Sequence, residues 1–228
     1  MENTGFMDNT SFKKKRMLNT EGTKLSANGF NGVIGLLLAF GLGINALMAI
    51  FLPPLVAGLN PWIVLGTYLV GSIASTLVIH HAKTAVVSFA GFTGLACSTG
   101  FLLSSFLVGF SGATIYTAFL STGIIVVSMM LLSTIFPKFF LGLGRVLIFA
   151  LLGSLLVEFV AGLIFGLNLV YMDYIVVVIF AGFIGFDWAK AQAYPKTLDN
   201  AVDSAADIYV DIVNIFIRIL SIMGRKDN

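Results

Sequence analysis

Four aspartates recur every fourth residue in the stretch DNAVDSAADIYVDIVNIFIRIL: Asp199, Asp203, Asp207 and Asp211. The whole chain has only 11 acidic residues in 228, so their concentration here asks for a chemical reason. On a helical wheel Asp207, Asp211, Asn214 and Arg218 fall within about 60° of one another. The other faces carry Ile208, Val210, Ile212, Ile215, Phe216, Ile219 and Ile222. The segment therefore reads as an apolar helix with one narrow polar seam. A charge at the centre of a bilayer costs at least about 2.5–3.5 kcal/mol, so a helix facing lipid all round could not carry this seam. A helix whose seam faces a water-filled cavity could. Asp199 and Asp203 suit a helix N-terminus, where the backbone dipole favours negative charge. Asp211 lies deeper and is the candidate for function, with Asp207, Asn214 and Arg218 as candidate pore-lining groups.

A second carboxylate is available in FIGFDWAK, where Asp187 lies near the end of the preceding apolar run. The chain then turns and re-enters near Ala205. Asp187 and Asp211 are thereby expected within a couple of turns of the same membrane face. Two carboxylates in a low-dielectric site cannot both ionise cheaply, so they share a proton and titrate as a unit. When both ionise, the oxygen-rich spot attracts a hard cation such as calcium. Two carboxylates are too few for a tight metal site, so the expectation is transient calcium at Asp187 and Asp211, with no cofactor.

The composition sets the solvent for this chemistry. Hydrophobic residues make up 58% of the chain, charged residues 11%, and mean hydropathy is +0.99. Soluble domains carry about 25% charge, so the natural surroundings of this chain are lipid. Apolar stretches predict seven helical spans near Val33–Phe51, Trp62–His80, Val86–Val108, Ala113–Ile135, Val146–Leu167, Leu169–Ala189 and Ala205–Met223. Each approaches the roughly 20 residues needed to cross a bilayer core. Polar residues interrupt the seventh, and a helix dipping into the inner interface is the competing reading for it. Pro53, Pro54, Pro61, Pro137 and Pro195 fall in connections or at span edges, where proline does least harm. Trp62 and Trp188 suit the interfacial belt. The one cysteine, Cys97, excludes an internal disulfide and is expected to be a small buried side chain.

Positive charge orients the chain. Lys13–Arg16 and Lys24 precede span one, Lys83 follows span two, Lys138 and Arg145 follow span four, and Lys190 and Lys196 follow span six. The connections after spans one, three and five have no Lys or Arg. This alternation predicts a cytoplasmic N-terminus. Residues 1–28 read as a flexible cytoplasmic tail without a removable signal peptide. Residues 29–224 read as the transmembrane domain and 225–228 as a short C-terminal tail.

The ending FIGFDWAKAQ … AADIYVDIVNIFIRILSIMGRK resembles the Bax inhibitor-1 family of membrane proteins, and its bacterial members in particular. The stretches FTGLACSTGF and SGATIYTAFLSTG are similar, more loosely, to the family's third and fourth helices. The resemblance implies an all-α integral membrane protein, a bundle of seven transmembrane helices with the last helix central, in the bacterial plasma membrane. It implies a proton sensor on Asp187 and Asp211 that controls a pH-dependent calcium leak. In bacterial relatives an arginine at the inner end of the second helix latches onto the first aspartate. Here that place reads VIHHAK, so His80, His81 or Lys83 would have to supply the latch, or it is absent. Histidine loses its charge near neutrality, which an arginine does not. The family motif does not account for Glu158, in the fifth span.

Three functions follow from these residues. The first is a cation leak driven by the calcium gradient, since no nucleotide-binding motif or nucleic-acid partner is read. The second is a non-catalytic membrane regulator. Some bacterial relatives restrain a membrane-embedded ATP-dependent protease, and the KKKR run could contact such a partner or anionic lipid. The third is an intramembrane aspartyl protease, with one carboxylate activating water and the other acting as acid. The residues Ile208-Tyr209-Val210 before Asp211 oppose the third reading, because the second aspartate of those enzymes follows a Gly-x-Gly segment.

Overall fold

A computed structural model describes residues 16–17, 23–56, 58–166 and 169–224. Lys13–Lys15, Asn168 and the C-terminal residues 225–228 lie outside the described residues, as does most of the expected N-terminal tail. Seven long helices account for most of the remainder: α1 Ala27–Phe51, α2 Pro61–His81, α3 Ala85–Phe106, α4 Gly112–Ile135, α5 Pro137–Phe165, α6 Val170–Ala193 and α7 Leu198–Gly224. A single helical turn, Pro53–Val56, and a 3-10 turn, Leu107–Gly109, join them. The molecule is an all-α membrane protein.

Local chemistry sets the helix ends. Ser26 caps α1 by accepting a bond from the Gly29 amide at 3.1 Å, which starts that helix before the apolar run begins. Asn60 caps α2 through the Trp62 amide at 2.9 Å, with Pro61 in the first turn. Ser111 caps α4 through the Thr114 amide at 3.1 Å. Pro137 opens α5 rather than merely closing α4, because its fixed φ suits a first helical turn and its missing N–H is not needed there. Gly166 ends α5 at φ 62, a left-handed conformation natural to glycine.

Six helices, α1 to α6, are long and apolar enough to cross a membrane. Their outward residues are large and bare: Leu36, Trp62, Val86, Phe149 and Tyr171 are each more than 70% exposed. In water such a surface would aggregate; against acyl chains it is the solvated surface. Serine and threonine side chains in these helices bond back to carbonyls one turn earlier, as Thr93 does to Phe89, Thr99 to Leu95 and Thr122 to Ala118. Each hydroxyl is thus satisfied within its own helix, where lipid and apolar side chains offer no partner. Cys97, expected to be buried, is exposed on α3; its neighbours Leu95, Ala96 and Thr99 occupy the inward face instead.

The predicted seventh span differs from the first six. α7 is 27 residues long and begins at Leu198 rather than Ala205. Its five charged residues, Asp199, Asp203, Asp207, Asp211 and Arg218, keep it out of the set of apolar spans. It is also the most enclosed helix, with every residue from Asn200 to Ala206 buried.

The chain forms two compact units. The first holds α1, α2, α3 and the residues Ala193–Ala206. Within it α3 packs on both α1 and α2. The α6–α7 connection is stitched to the segment before α1: the Leu25 amide bonds the Lys196 carbonyl at 2.8 Å and the Leu198 amide bonds the Thr23 carbonyl at 3.0 Å. Lys196 lies over the Phe30 ring at 4.4 Å, and partial burial holds its ammonium below the usual lysine pKa. Ser88 of α3 donates to Asp199 at 2.6 Å, fixing the first turn of α7.

The second unit holds Gly109–Gln192 and α7 from Asp207 onward. Here α6 is gripped from two sides around Asp187. Ser133 of α4 donates to the Gly185 carbonyl at 2.5 Å, and Trp188 donates to Thr134 at 2.9 Å. On the α5 side a Cβ on Gly185 would lie 2.3 Å from the Phe140 ring. Glycine is therefore required for this approach. Gly185→Val is expected to destabilise the protein by about 1–3 kcal/mol through overpacking, measured as a lower midpoint in a detergent unfolding titration. Gly153→Val, where a Cβ meets nothing within 4 Å, is expected to leave the midpoint unchanged.

Candidate functional site

Asp187 sits one turn before Lys190 near the end of α6. Lys190 Nζ lies 2.6 Å from Asp187 Oδ1 and 3.3 Å from Asp207 Oδ2, so one ammonium ties α6 to α7. It also lies 5.1 Å from the centre of the Phe186 ring. Asp211, one turn beyond Asp207, faces the same place. Asp187 and Asp211 are 8% and 6% exposed, and they lie close enough for each carboxyl to feel the other's charge. Among the described residues Asp211 Oδ2 is buried with no hydrogen-bond partner. The two aspartates singled out from sequence thus meet, and Asp207 joins them through Lys190.

This arrangement has a definite chemistry. A hydrogen bond between two carboxyl groups needs a proton on one of them, because two adjacent carboxylates offer only acceptors. Lys190 can balance one negative charge but not three. Gain or loss of a proton by either aspartate would change the charge of this cluster. Among the described residues no three His, Cys, Asp or Glu side chains converge in a metal-holding group. The geometry is that of two buried aspartates beside a lysine that also binds Asp207.

The remainder of the predicted seam is divided rather than continuous. Asn214 turns back and donates to the Val210 carbonyl of its own helix at 2.8 Å. Arg218 forms a separate cluster. It donates to Glu158 of α5 through both terminal nitrogens, at 2.6 and 2.9 Å, and to Asp173 of α6 at 2.7 Å. Glu158, which the family motif left unassigned, is thereby one jaw of a two-oxygen clamp on Arg218. Asp173, in the first turn of α6 and 4% exposed, is the other. Three helices meet at one guanidinium.

His80 and His81 occupy the last turn of α2. Each ring places Nδ1 2.8 Å from a carbonyl of its own helix, Thr76 for His80 and Leu77 for His81. Lys83 is exposed in the turn before α3. All three belong to the first unit, and the aspartate pair to the second.

Two partners in these clusters escape sequence reasoning. Lys190 reads as a cytoplasmic-side charge, although its spacing of three from Asp187 is the helical spacing of an ion pair. Asp173 is not singled out in the sequence at all, and the structure places it in the first turn of α6. Arg218→Met is expected to leave two carboxylates facing each other without their cation. The loss of stability should reach about 2–3 kcal/mol, toward the low end for a buried pair because the groups are part-exposed. The triple neutral variant Arg218→Gln/Glu158→Gln/Asp173→Asn should recover part of it. Thermal unfolding in detergent checks both.

The sequence matches the family described as the inhibitor of apoptosis-promoting Bax1 over residues 30–228. An uncharacterized membrane protein of Streptococcus pyogenes serotype M3 is 28% identical over 142 residues, covering 58% of this chain and 61% of that protein. The chain thus spans about three fifths of the length of that relative. An uncharacterized membrane protein of S. pyogenes serotype M1 is 27% identical over 68% of this chain and 69% of its own. The inner membrane protein YbhL of Escherichia coli K12 is 25% identical over 70% of this chain and 75% of its own. No solved structure matches. With its all-α membrane fold, and with a family match running from the start of α1 through α7, the chain belongs to the Bax inhibitor-1 family.

Proposed function

We propose that the protein is a pH-sensitive cation leak channel, with calcium as the transported ion and the Asp187–Asp211 pair as its proton sensor. The observation that carries this reading is the juxtaposition of two buried aspartates on α6 and α7, Asp187 and Asp211, beside a lysine that bridges Asp187 and Asp207. With a shared proton in place, a carboxyl–carboxyl hydrogen bond holds the two helices together. Without it, two carboxylates stand side by side where water screens them poorly, and their repulsion favours separation. The separated oxygens then offer a transient station for a hard cation. Lys190, already bonded to both Asp187 and Asp207, keeps a counter-charge at hand in either state.

The wider setting is part of the same proposal. The alternation of basic connections supports a cytoplasmic N-terminus in the plasma membrane, and the similarity to an inner membrane protein of E. coli agrees with that location. Six apolar helices without a soluble domain among the described residues fit passive transport down a gradient.

Calcium flux into liposomes carrying the purified protein, from pH 5 to pH 8, tests the reading. Wild type should leak more as the pair loses its proton, by up to about tenfold per pH unit, the limit for one proton. Asp211→Asn keeps a hydrogen-bonding partner for Asp187 but cannot gain the second charge, so its profile should flatten at the low-flux level. Flux no greater than that of empty liposomes at every pH would remove the channel reading. The weight would then move to a non-catalytic regulator of a membrane-embedded partner such as an ATP-dependent protease.

A further inference from the structure

Arg16 is the last residue of the basic run KKKR and would ordinarily face water or anionic headgroups. It is instead 1% exposed. Its guanidinium lies over the Tyr194 ring, 4.2 Å from the centroid. One terminal nitrogen donates to the Asn200 carbonyl at 3.2 Å and to the Ser204 hydroxyl. Its Nε stands 3.8 Å from Asp203 Oδ2, and Asp203 is itself 1% exposed. The backbone is held as well: Asn200 Nδ2 donates to the Arg16 carbonyl at 3.1 Å and to the Pro195 carbonyl at 2.9 Å. A ring face, a carbonyl, a hydroxyl and a carboxylate thus surround one flat cation. That set of partners suits guanidinium better than ammonium, which has no plane to stack and no spread of donors.

We propose that Tyr194, Asn200, Asp203 and Ser204 form a guanidinium-binding socket at the N-terminal half of α7, that Arg16 is its intramolecular ligand, and that this docking restrains α7. The socket gives Asp203 a purpose beyond starting a helix: its carboxylate neutralises the docked cation. It also gives the basic N-terminal run a task inside the protein. The same helix carries Asp203 and, eight residues later, Asp211. A segment pinned at Asp203 limits how far α7 can shift or turn when the aspartate pair opens. This restraint rests on the leak reading above; the socket does not.

Two measurements separate the parts. Phenylglyoxal labels accessible guanidinium groups, and Arg145, which is exposed, serves as the reference within the same molecule. Arg16 of the full-length protein in liposomes should label at least about tenfold more slowly than Arg145, as burial requires. Asp203→Asn should remove most of that protection. Equal labelling of Arg16 and Arg145 in wild type would overturn the socket. Calcium flux of Arg16→Gln, at a pH where wild type is mostly closed, should rise about threefold or more as the restrained state loses its bias. Arg16→Lys should behave like Arg16→Gln, because charge alone does not fill the socket. If Arg16→Gln fails to fold once Asp203 loses its cation, the double neutral variant Arg16→Gln/Asp203→Asn takes its place in the flux measurement. Protection without any change in flux would overturn the restraint. Absence of flux in every variant, with Arg16 still protected, would sink the leak reading and the restraint while leaving the socket standing.

Discussion

A charge surrounded by apolar side chains and lipid has no water to solvate it, and every acidic or basic group in this protein's interior is arranged around that constraint. The consequences are concentrated in α7. Asp199 takes a hydroxyl hydrogen bond from Ser88. Asp203 faces Arg16, Asp207 faces Lys190, Asp211 faces Asp187, and Arg218 faces Glu158 and Asp173. One after another, the charged groups of this helix are matched by a partner brought from elsewhere in the chain. The exterior is the reverse, with bare leucine, valine and phenylalanine and hydroxyls turned back on their own helices.

The five partnerships are not chemically equal. Those at Asp203, Asp207 and Arg218 join opposite charges, and such pairs persist as long as both groups remain ionised. The one at Asp199 joins a carboxylate to a neutral hydroxyl. Only the pair of Asp187 and Asp211 joins like groups. Two carboxylates side by side repel where water screens them poorly, so this pair differs in kind from the other four.

Much of this was legible in the sequence. The apolar runs, the prolines at their edges and the alternation of lysine and arginine specify a multi-pass helical membrane protein, because lipid permits few other ways of satisfying a backbone. Asp187 and Asp211 stand out for the same reason: a carboxylate is conspicuous where almost nothing else is polar. The membership of the Bax inhibitor-1 family follows the same residues. The polar seam on α7 was legible as a seam, but not as several separate sites. Its wheel position says that Asp207, Asp211, Asn214 and Arg218 share a face, and is silent about what each one meets.

What only the tertiary structure decided is the pairing. Lys190 is close to Asp187 in sequence, yet its second bond, to Asp207, needs α6 and α7 side by side. Arg218 is 45 residues from Asp173 and 60 from Glu158, and Arg16 is 184 from Asn200. Such distances carry no periodic signal, since helix packing rather than local propensity brings the groups together. A basic residue in a polar leader reads as solvated until the fold shows a socket around it. The sequence by itself determined which groups cannot be left alone in lipid. The fold determined which partner each one found, because that depends on which helices touch and at what height.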